Sequence, residues 1–190
     1  MAKLLAFCGS TRKESFNRKL LDAAIRAARD QGADVTSVSL DDFPMPIYNG
    51  DLEAESGLPE GARRLKELMQ QHTGIIIGCP EYNGFMTPLL MNTIDWCSRS
   101  DDAGADLSPF RDKPVLITSA SPCPFGGSRS ATHLRTMLAG MGCIVLPYTI
   151  SLSNAGNAFS DAGSVKDDKF QSRIDRSVSG FLRFVAGPED

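Results

Sequence analysis

Residues 4–17 have the sequence LLAFCGSTRKESFN, in which an apolar run is followed at once by a polar turn. The apolar part, Leu4 to Cys8, is typical of a strand that is buried on both faces of a parallel sheet. The segment after the turn carries apolar residues at helical spacing, namely Leu20, Leu21, Ala24, Ile25 and Ala28. The polar stretch therefore joins the end of a strand to the start of a helix.

The rest of the chain repeats this alternation of short apolar runs and amphipathic segments. The pattern predicts strands at Lys3–Cys8, Val35–Leu40, Gly74–Gly78, Pro114–Ser119 and Cys143–Leu146. It predicts helices from Asn17, over Gly61–Gln71, over about Pro88–Ser98, over Ser128–Ala139 and over about Lys166–Phe184. Because parallel strands need crossover helices, we expect an α/β fold with a doubly wound five-stranded parallel sheet, order 2-1-3-4-5, and helices on both faces. This flavodoxin-like arrangement places ligands at the carboxyl ends of strands 1, 3 and 4.

Length and composition limit the classes of protein to which the chain can belong. A chain of 190 residues with 42% hydrophobic content is long enough for one packed core, so we expect a single domain over residues 1–190. No apolar run approaches the roughly 20 residues that a bilayer requires, and the start of the chain lacks the apolar stretch of a signal peptide. We therefore expect no membrane partner and a cytoplasmic location. The net charge of −3, with both signs interspersed, predicts no nucleic-acid partner.

The five cysteines are scattered, without a C-x-x-C pair or a Cys/His cluster at metal-binding spacing. We expect free thiols and no bound metal. Cys123 lies in a candidate site loop, and we interpret it as an inert loop thiol rather than a redox group. Small molecules are the expected partners.

The polar stretch has the donors that a terminal phosphate needs. A helix start offers free backbone N–H groups and about half a positive charge. Ser10, Thr11, Ser15 and Asn17 add polar side chains, and the Arg12 guanidinium matches phosphate oxygens with two hydrogen bonds. The stretch has neither the lysine of a Walker loop nor G-x-G-x-x-G, so a single terminal phosphate fits best. The alternative is an ordinary turn with Ser15 or Asn17 as an N-cap.

Two further strand ends carry unusual loops. The third predicted strand leads into Cys79-Pro80-Glu81-Tyr82-Asn83-Gly84, and a flat heteroaromatic ring would find N–H groups and an aromatic wall there. The alternative is a plain turn on which Tyr82 packs. The fourth predicted strand leads into Ser121-Pro122-Cys123-Pro124-Phe125-Gly126-Gly127, whose paired glycines allow close approach of a ligand. Three such loops at one edge of a doubly wound sheet predict a binding site.

The three segments resemble the NADPH-dependent FMN reductase family, which includes bacterial quinone and chromate reductases and azoreductase relatives. The stretch from Gly9 to Asn17 matches the family pattern G-S-x-R-x-x-S-x-N. The second loop is similar to the family's P-E-Y-N-G segment, and Asn92 to Trp96 to its N-x-I-D-W helix. The segment Gly126-Gly127-x-Arg129 is similar to the family's third segment. The resemblance spans residues 3 to about 147.

The resemblance implies tightly held FMN, reduction by NADPH or NADH, and a homodimer or homotetramer with FMN near a subunit interface. Hydride would pass from the nicotinamide to flavin N5, so no catalytic side chain is expected. The phosphate would be held by Ser10, Arg12, Ser15 and Asn17, with Phe16 in the same stretch. The ring would be lined by Pro80, Glu81, Tyr82, Asn83 and Gly84, with Ser119, Ser121 and Gly126 on its far side.

Several side chains receive a role other than cofactor binding. We expect the Glu81 carboxylate to point away from the ring and to bond backbone or a neighbouring subunit, since a carboxylate would disfavour anionic reduced flavin. His72 and His133 fall on predicted helices away from the strand-end loops, and we interpret both as structural. We assign Trp96 to packing.

Three functions remain in competition. The first is an FMN-dependent NAD(P)H oxidoreductase that reduces a quinone, an azo compound, free flavin or a metal oxyanion such as chromate. The second is a flavodoxin-like electron carrier without nicotinamide turnover, which the modest net charge of −3 disfavours. The third is a phosphate-binding or regulatory domain that holds no flavin. The cation for a 2′-phosphate of NADPH would be Arg12, Arg99, Arg129 or a side chain of a neighbouring subunit.

Overall fold

The computed structural model describes residues 1–102 and 104–187. The strands are β1 (Lys3–Cys8), β2 (Asp34–Val38), β3 (Gly74–Gly78), β4 (Glu81–Tyr82), β5 (Phe85–Met86), β6 (Pro114–Ala120) and β7 (Ile144–Leu152). The α-helices are α1 (Phe16–Asp30), α2 (Gly50–Ser56), α3 (Glu60–Gln71), α4 (Pro88–Cys97), α5 (Ser128–Gly140) and α6 (Asp168–Ala186). Among the described residues, no helix is both long enough and apolar enough to cross a membrane.

Five of the strands form one parallel sheet in the order β2-β1-β3-β6-β7. This is the predicted order 2-1-3-4-5, because β6 and β7 are the fourth and fifth strands of the sheet. One core lies between the sheet and the pair α1 and α6, and a second lies between the sheet and α3, α4 and α5. Alternate residues of the buried strands feed the two cores, with Leu4 and Ala6 on one side and Leu5 and Phe7 on the other. The doubly wound prediction is confirmed.

Local sequence signals explain where the helices near the site begin. Ser15 caps α1 by accepting a hydrogen bond from the N–H of Arg18 (3.3 Å). Thr87 caps α4 by accepting from the N–H of Leu90 (3.3 Å), and Pro88 occupies the first helical position. Helix α1 therefore begins after the seven residues that follow β1, and α4 begins one residue after β5.

The structure departs from the predicted elements most clearly in three places, and in addition β2 ends at Val38 rather than at the predicted Leu40. Strand β7 extends to Leu152, six residues beyond the predicted end, and it passes a bulge opposite Val115–Ile117. Pro147 interrupts the apolar run, but β7 is an edge strand, where proline is tolerated. The segment after β2 contains the short helix α2, and the loop after β3 contains the two-stranded hairpin β4–β5. Neither was predicted.

The crossover between α4 and β6 is held by a partly buried ion pair. Lys66 on α3 contacts Asp106 (2.9 Å) and also donates to the carbonyl of Arg99. Burial by itself would raise the pKa of Asp106, but hydrogen bonds from Lys66 and Ser108 outweigh it and lower the pKa to about 2. Because the folded-state pKa is depressed, the pair stabilises the fold above the ordinary pKa near 3.9 and loses this effect as pH falls toward 2.

We therefore expect Asp106→Asn to lower the free energy of unfolding at pH 6, and its difference from wild type to shrink as the pH falls from about 4 to about 2. Urea unfolding at a series of pH values measures this difference. The exposed Asp102 provides a control, since Asp102→Asn should follow the wild-type pH profile. A difference between Asp106→Asn and wild type that stays constant down to pH 2 would contradict the assignment.

Candidate functional site

Three loops meet at the carboxyl edge of the sheet. Loop 1 is residues 9–15 after β1, loop 2 is residues 79–84 after β3, and loop 3 is residues 121–127 after β6. The parallel register pairs Cys8 with Gly78 and Gly78 with Thr118, so the three strands end side by side. The edge between β1 and β3 is also the topological switch point, because the chain leaves β1 towards β2 and then crosses back to β3.

Loop 1 ends at the N-terminus of α1 with free donors. Within residues 1–102 and 104–187, the backbone N–H groups of Phe16 and Asn17 have no hydrogen-bond acceptor. The Arg12 side chain is exposed and has no ion pair among the described residues. Ser10 is partly buried, and its Oγ accepts from the N–H of Arg12 (3.4 Å). An anion placed here would meet the helix dipole, backbone donors and a guanidinium.

Three other residues of this stretch have their side chains turned inward. Ser15 is buried and serves as the N-cap, which is the alternative that the sequence left open. The ring of Phe16 is stacked with that of Phe159 at a centroid distance of 6.5 Å. The buried amide of Asn17 exchanges two hydrogen bonds with the backbone of Ala120. Phe16 and Asn17 offer a ligand their main-chain N–H groups, whereas the N–H of Ser15 donates to the carbonyl of Arg12 (3.2 Å).

Loop 2 contains a tight hairpin rather than an irregular turn. Glu81 and Tyr82 pair with Met86 and Phe85, and the two connecting residues, Asn83 and Gly84, have φ values of 54° and 81°. Positive φ at both positions defines a type I′ turn, for which Asn-Gly is the preferred sequence. The backbone N–H groups of Asn83 and Gly84 have no partner in the part of the chain that the structure describes.

The Glu81 carboxylate links loop 2 to the helix that follows loop 3. It accepts from the Arg129 Nε (3.0 Å) and from the N–H of Ser130 (3.2 Å) near the start of α5. Helix α5 has Gly127 at its N-cap and no side-chain cap of its own, so Glu81 supplies one from another loop. This contact agrees with the expectation that Glu81 bonds backbone.

Ser119 and Ser121 fix loop 3 through hydrogen bonds between their hydroxyls and backbone groups. Ser119 is fully buried, and its hydroxyl contacts the carbonyls of Cys79 (2.7 Å) and Gly127 (3.2 Å). Ser121 is partly buried, and its Oγ accepts from the N–H of Cys123 (3.1 Å). The buried Ser119 hydroxyl therefore bonds the backbone of two loops, and the place of Ser119 on the far side of the ring stays a prediction.

Gly9 lets loop 1 lie against α4. Its N–H donates to the carbonyl of Gly78 (2.9 Å), and its own carbonyl accepts from the Thr87 hydroxyl (2.7 Å). A Cβ at Gly9 would lie 2.8 Å from the Leu90 Cβ and 3.1 Å from the Pro80 Cδ. Any larger residue would therefore push apart loop 1 and loop 2.

An aromatic and cationic rim surrounds the loops, and the sequence did not identify most of it. Tyr82, Phe85 and Phe125 are 49%, 44% and 63% exposed. The Arg129 guanidinium lies over the Phe125 ring, 5.3 Å from its centroid. The His133 ring lies 4.6 Å from that of Phe85, which corrects the expectation that this histidine is remote from the strand-end loops.

The other structural assignments hold. His72 is buried, with Nδ1 2.5 Å from the carbonyl of Leu68 and Nε2 2.9 Å from the Thr36 hydroxyl. Trp96 is fully buried, and its Nε1 donates to the carbonyl of Pro46 (2.8 Å). Arg99, one of the four candidate cations for a 2′-phosphate, contacts the buried Glu53 at 2.9 and 3.1 Å.

Two thiols close to the site are buried, and burial disfavours their thiolate forms. Burial raises the pKa of Cys8 to about 11 and that of Cys79 to about 12. Cys123 in loop 3 is exposed, and all five cysteines are free. Among the described residues, no three His, Cys, Asp or Glu side chains are grouped as metal ligands would be.

The donor set fits FMN. Loop 1 presents donors for an anion at a helix N-terminus. Loop 2 presents free N–H groups beside the Tyr82 ring, and loop 3 follows β6, the neighbour of β3. The family model described as NADPH-dependent FMN reductase matches residues 2–157. The chain belongs to this family. Membership confirms the predicted enzyme class, an FMN-dependent NAD(P)H oxidoreductase, and FMN as its cofactor.

Individual FMN reductase relatives extend this comparison. The chain is 32% identical over 185 residues to an NAD(P)H-dependent FMN reductase of Pseudomonas aeruginosa, an alignment that covers 96% of this chain and 95% of the relative. It is 33% identical over 148 residues to a quinone reductase of Escherichia coli K12, covering 76% and 73%. The solved structure of FerB, a flavoenzyme NAD(P)H:(acceptor) oxidoreductase from Paracoccus denitrificans, has a TM-score of 0.80, 24% identity and 98% coverage of both chains. At that identity the structure supports the fold alone.

We expect Gly9→Ala to destabilise the protein by about 1–3 kcal/mol, because the new methyl group would overpack the contact between loop 1 and α4. It should also weaken FMN binding, since loop 1 would shift. Denaturant unfolding and flavin fluorescence titration measure the two effects. Gly140→Ala is the matched control, because the site has open space, and it should be neutral or stabilising by about 0.5–1 kcal/mol. A Gly9→Ala protein with wild-type stability and FMN affinity would refute this account.

Proposed function

We propose that FMN binds across the three loops, with its phosphate at the N-terminus of α1 and its ring between loop 2 and loop 3. The observation that carries this proposal is that, among the described residues, N–H groups without an acceptor at two loops lie at the same sheet edge as the Arg12 guanidinium, which has no ion-pair partner there. The phosphate and the ring lie at opposite ends of FMN, so the two groups need hydrogen-bond donors at two separate places. We also propose that the described elements act as parts of one domain.

The predicted site residues divide into two groups in this proposal. Arg12, Ser10 and the N–H groups of Phe16 and Asn17 face the phosphate. Tyr82, with the main chain of Asn83, Gly84 and Gly126, faces the ring. The remaining predicted residues support these groups by capping, packing or bonding the loops, and they are Ser15, Pro80, Glu81, Ser119 and Ser121.

When bound, FMN supplies the redox chemistry by accepting a hydride from the nicotinamide nucleotide and passing electrons to a second substrate. The protein residues bind and orient. Arg12 and the α1 dipole neutralise the phosphate charge, and the free N–H groups of loop 2 offer hydrogen bonds to carbonyl and nitrogen atoms along the ring edge. The absence of an assigned nucleophile agrees with the raised thiol pKa values of Cys8 and Cys79.

We propose a quinone or a comparably flat aromatic oxidant as the acceptor, and NADPH as the donor. The exposed rings of Tyr82, Phe85 and Phe125 offer stacking surfaces at the rim, and the relative in Escherichia coli is named a quinone reductase. Arg129 lies at the same rim and pairs with Glu81, but 58% of its side chain is exposed, whereas the Arg99 side chain is 27% exposed and pairs with the buried Glu53. Chromate, azo compounds and free flavin are acceptors that the experiment below compares.

A flavodoxin-like carrier is the less favoured candidate. The chain carries a net charge of −3 and presents cationic and aromatic side chains around the loops rather than an acidic docking surface. The same aromatic rim supports our proposal of a homodimer or homotetramer in which the rim lies near a subunit interface. The five free cysteines support a reducing, cytoplasmic location.

The function is tested by the absorption spectrum of the protein loaded with FMN, titrated anaerobically with one equivalent of NADPH and then with a quinone. We expect the flavin bands to bleach with NADPH and to return with the quinone. Rates with NADH, chromate, an azo dye and free flavin rank the donors and acceptors. Bands that respond only to dithionite would indicate a carrier. Absence of FMN binding would overturn the proposal.

We expect Glu81→Gln to leave the midpoint potential of the bound flavin near the wild-type value, because the carboxylate contacts Arg129 and Ser130 rather than the ring. Stability should fall by about 1–3 kcal/mol as charge-assisted hydrogen bonds are weakened. Spectroelectrochemistry and urea unfolding measure the two quantities, with the exposed Glu55→Gln as control. A large shift in potential would show that the carboxylate faces the flavin.

A further inference from the structure

Asn17 connects two loops that are far apart in sequence. Its Nδ2 donates to the carbonyl of Ala120 (2.8 Å), and its Oδ1 accepts from the N–H of the same residue (2.9 Å). The side chain is buried near the start of α1, and Ala120 is the last residue of β6. At the point where β6 ends and loop 3 begins, the Asn17 amide therefore makes the hydrogen bonds that a neighbouring strand would make.

This geometry leaves the side chain little capacity for a phosphate. The amide oxygen is an acceptor and would repel a phosphate oxygen, while one of the two N–H bonds of Nδ2 is already directed at Ala120. The backbone N–H of Asn17 has no partner among the described residues and lies in the first turn of α1. A phosphate would thus be bound by the main chain of Asn17, and its side chain is free for a different role.

The role of the Asn17 side chain follows from the position of Ala120 directly before loop 3. Loop 3 begins at the next residue, whose N–H donates to Leu152 (3.1 Å) and whose carbonyl accepts from Ala155 (3.0 Å). Ala120 itself is thereby the junction between loop 3 and the phosphate end of the site. Removing the Asn17 amide would leave a buried N–H and a buried carbonyl of Ala120 without their side-chain partner, a costly arrangement that loop 3 would relieve by shifting.

We propose that Asn17 is a positioning residue that sets loop 3 against the flavin ring, and that its side chain is not a ligand of the phosphate. The assignment rests on the proposed FMN site. It predicts that substitution of Asn17 weakens the binding of the flavin ring, although Asn17 lies in the stretch that binds the phosphate. The loss should be the same whether or not the ligand carries a phosphate.

FMN and riboflavin separate the two roles, because riboflavin has the same ring and lacks the phosphate. For Asn17→Ala we expect the dissociation constants of FMN and riboflavin to rise by a common factor, on the order of ten-fold. For the control Arg12→Ala we expect the constant for FMN to rise and that for riboflavin to stay at the wild-type value. Fluorescence titration of the apoprotein with each flavin gives both ratios.

The position of the ring gives a second readout that general destabilisation would not move. At saturating FMN, visible circular dichroism of the bound flavin should change in Asn17→Ala and stay as in wild type in Arg12→Ala. If Asn17→Ala does not fold, wild-type apoprotein titrated with inorganic phosphate serves instead. In its nitrogen–proton NMR spectrum, the backbone amide of Asn17 should shift while its side-chain amide does not.

The outcomes are distinct. Loss of FMN affinity alone in Asn17→Ala, or a phosphate-induced shift of its side-chain amide, would make the side chain a phosphate ligand and overturn the assignment. Unchanged affinity for both flavins would overturn it as well. A wild-type protein that binds neither flavin would instead refute the proposed FMN site, and the positioning role would fall with it.

Discussion

The parallel pairing of β1 with β3 and of β3 with β6 is the constraint on which the site depends. It places Cys8, Gly78 and Thr118 in adjacent register positions, so three loops that are distant in sequence begin at one edge. Close packing then matters as much as pairing, because Gly9 contacts Leu90 and Pro80 at distances that leave no room for a side chain. The backbone sets the spacing of the loops, and the polar side chains adjust it.

Much of the fold follows from the alternation of apolar runs and amphipathic helices. Strands such as Lys3–Cys8 and Gly74–Gly78 were predicted to the residue, because a strand buried on both faces is apolar throughout. The end of β7 was not, because Pro147 and the exposed residues of an edge strand break that pattern. The hairpin β4–β5 was missed although Asn83-Gly84 is a strong signal for a type I′ turn, since two-residue strands have no periodicity to detect.

The sequence could indicate which loops share an edge of the sheet more easily than it could assign their contacts. Small polar residues after three strand ends predicted a site in loops that the structure brings to one edge, and family membership supports the cofactor. The orientation of Ser15, Asn17 and Ser119 was beyond the sequence, because a short polar side chain at a strand end satisfies backbone groups as readily as it binds a ligand. For Asn17 the partner that decides this, Ala120, is 103 residues away in the sequence.

The two ends of the proposed FMN site differ in whether their charged side chains are paired. Glu81 is bonded to Arg129, so the side chains at the ring end carry a neutralised pair, whereas Arg12 at the phosphate end has no anionic partner among the described residues. The dipole of α1 adds positive potential at the same end as Arg12. A molecule with a dianionic phosphate at one end and a neutral oxidised ring at the other is matched in one orientation only. The exposed rings of Tyr82, Phe85 and Phe125 lie at the same end as the neutralised pair, and they form the surface on which the flat, uncharged oxidant that we propose would stack.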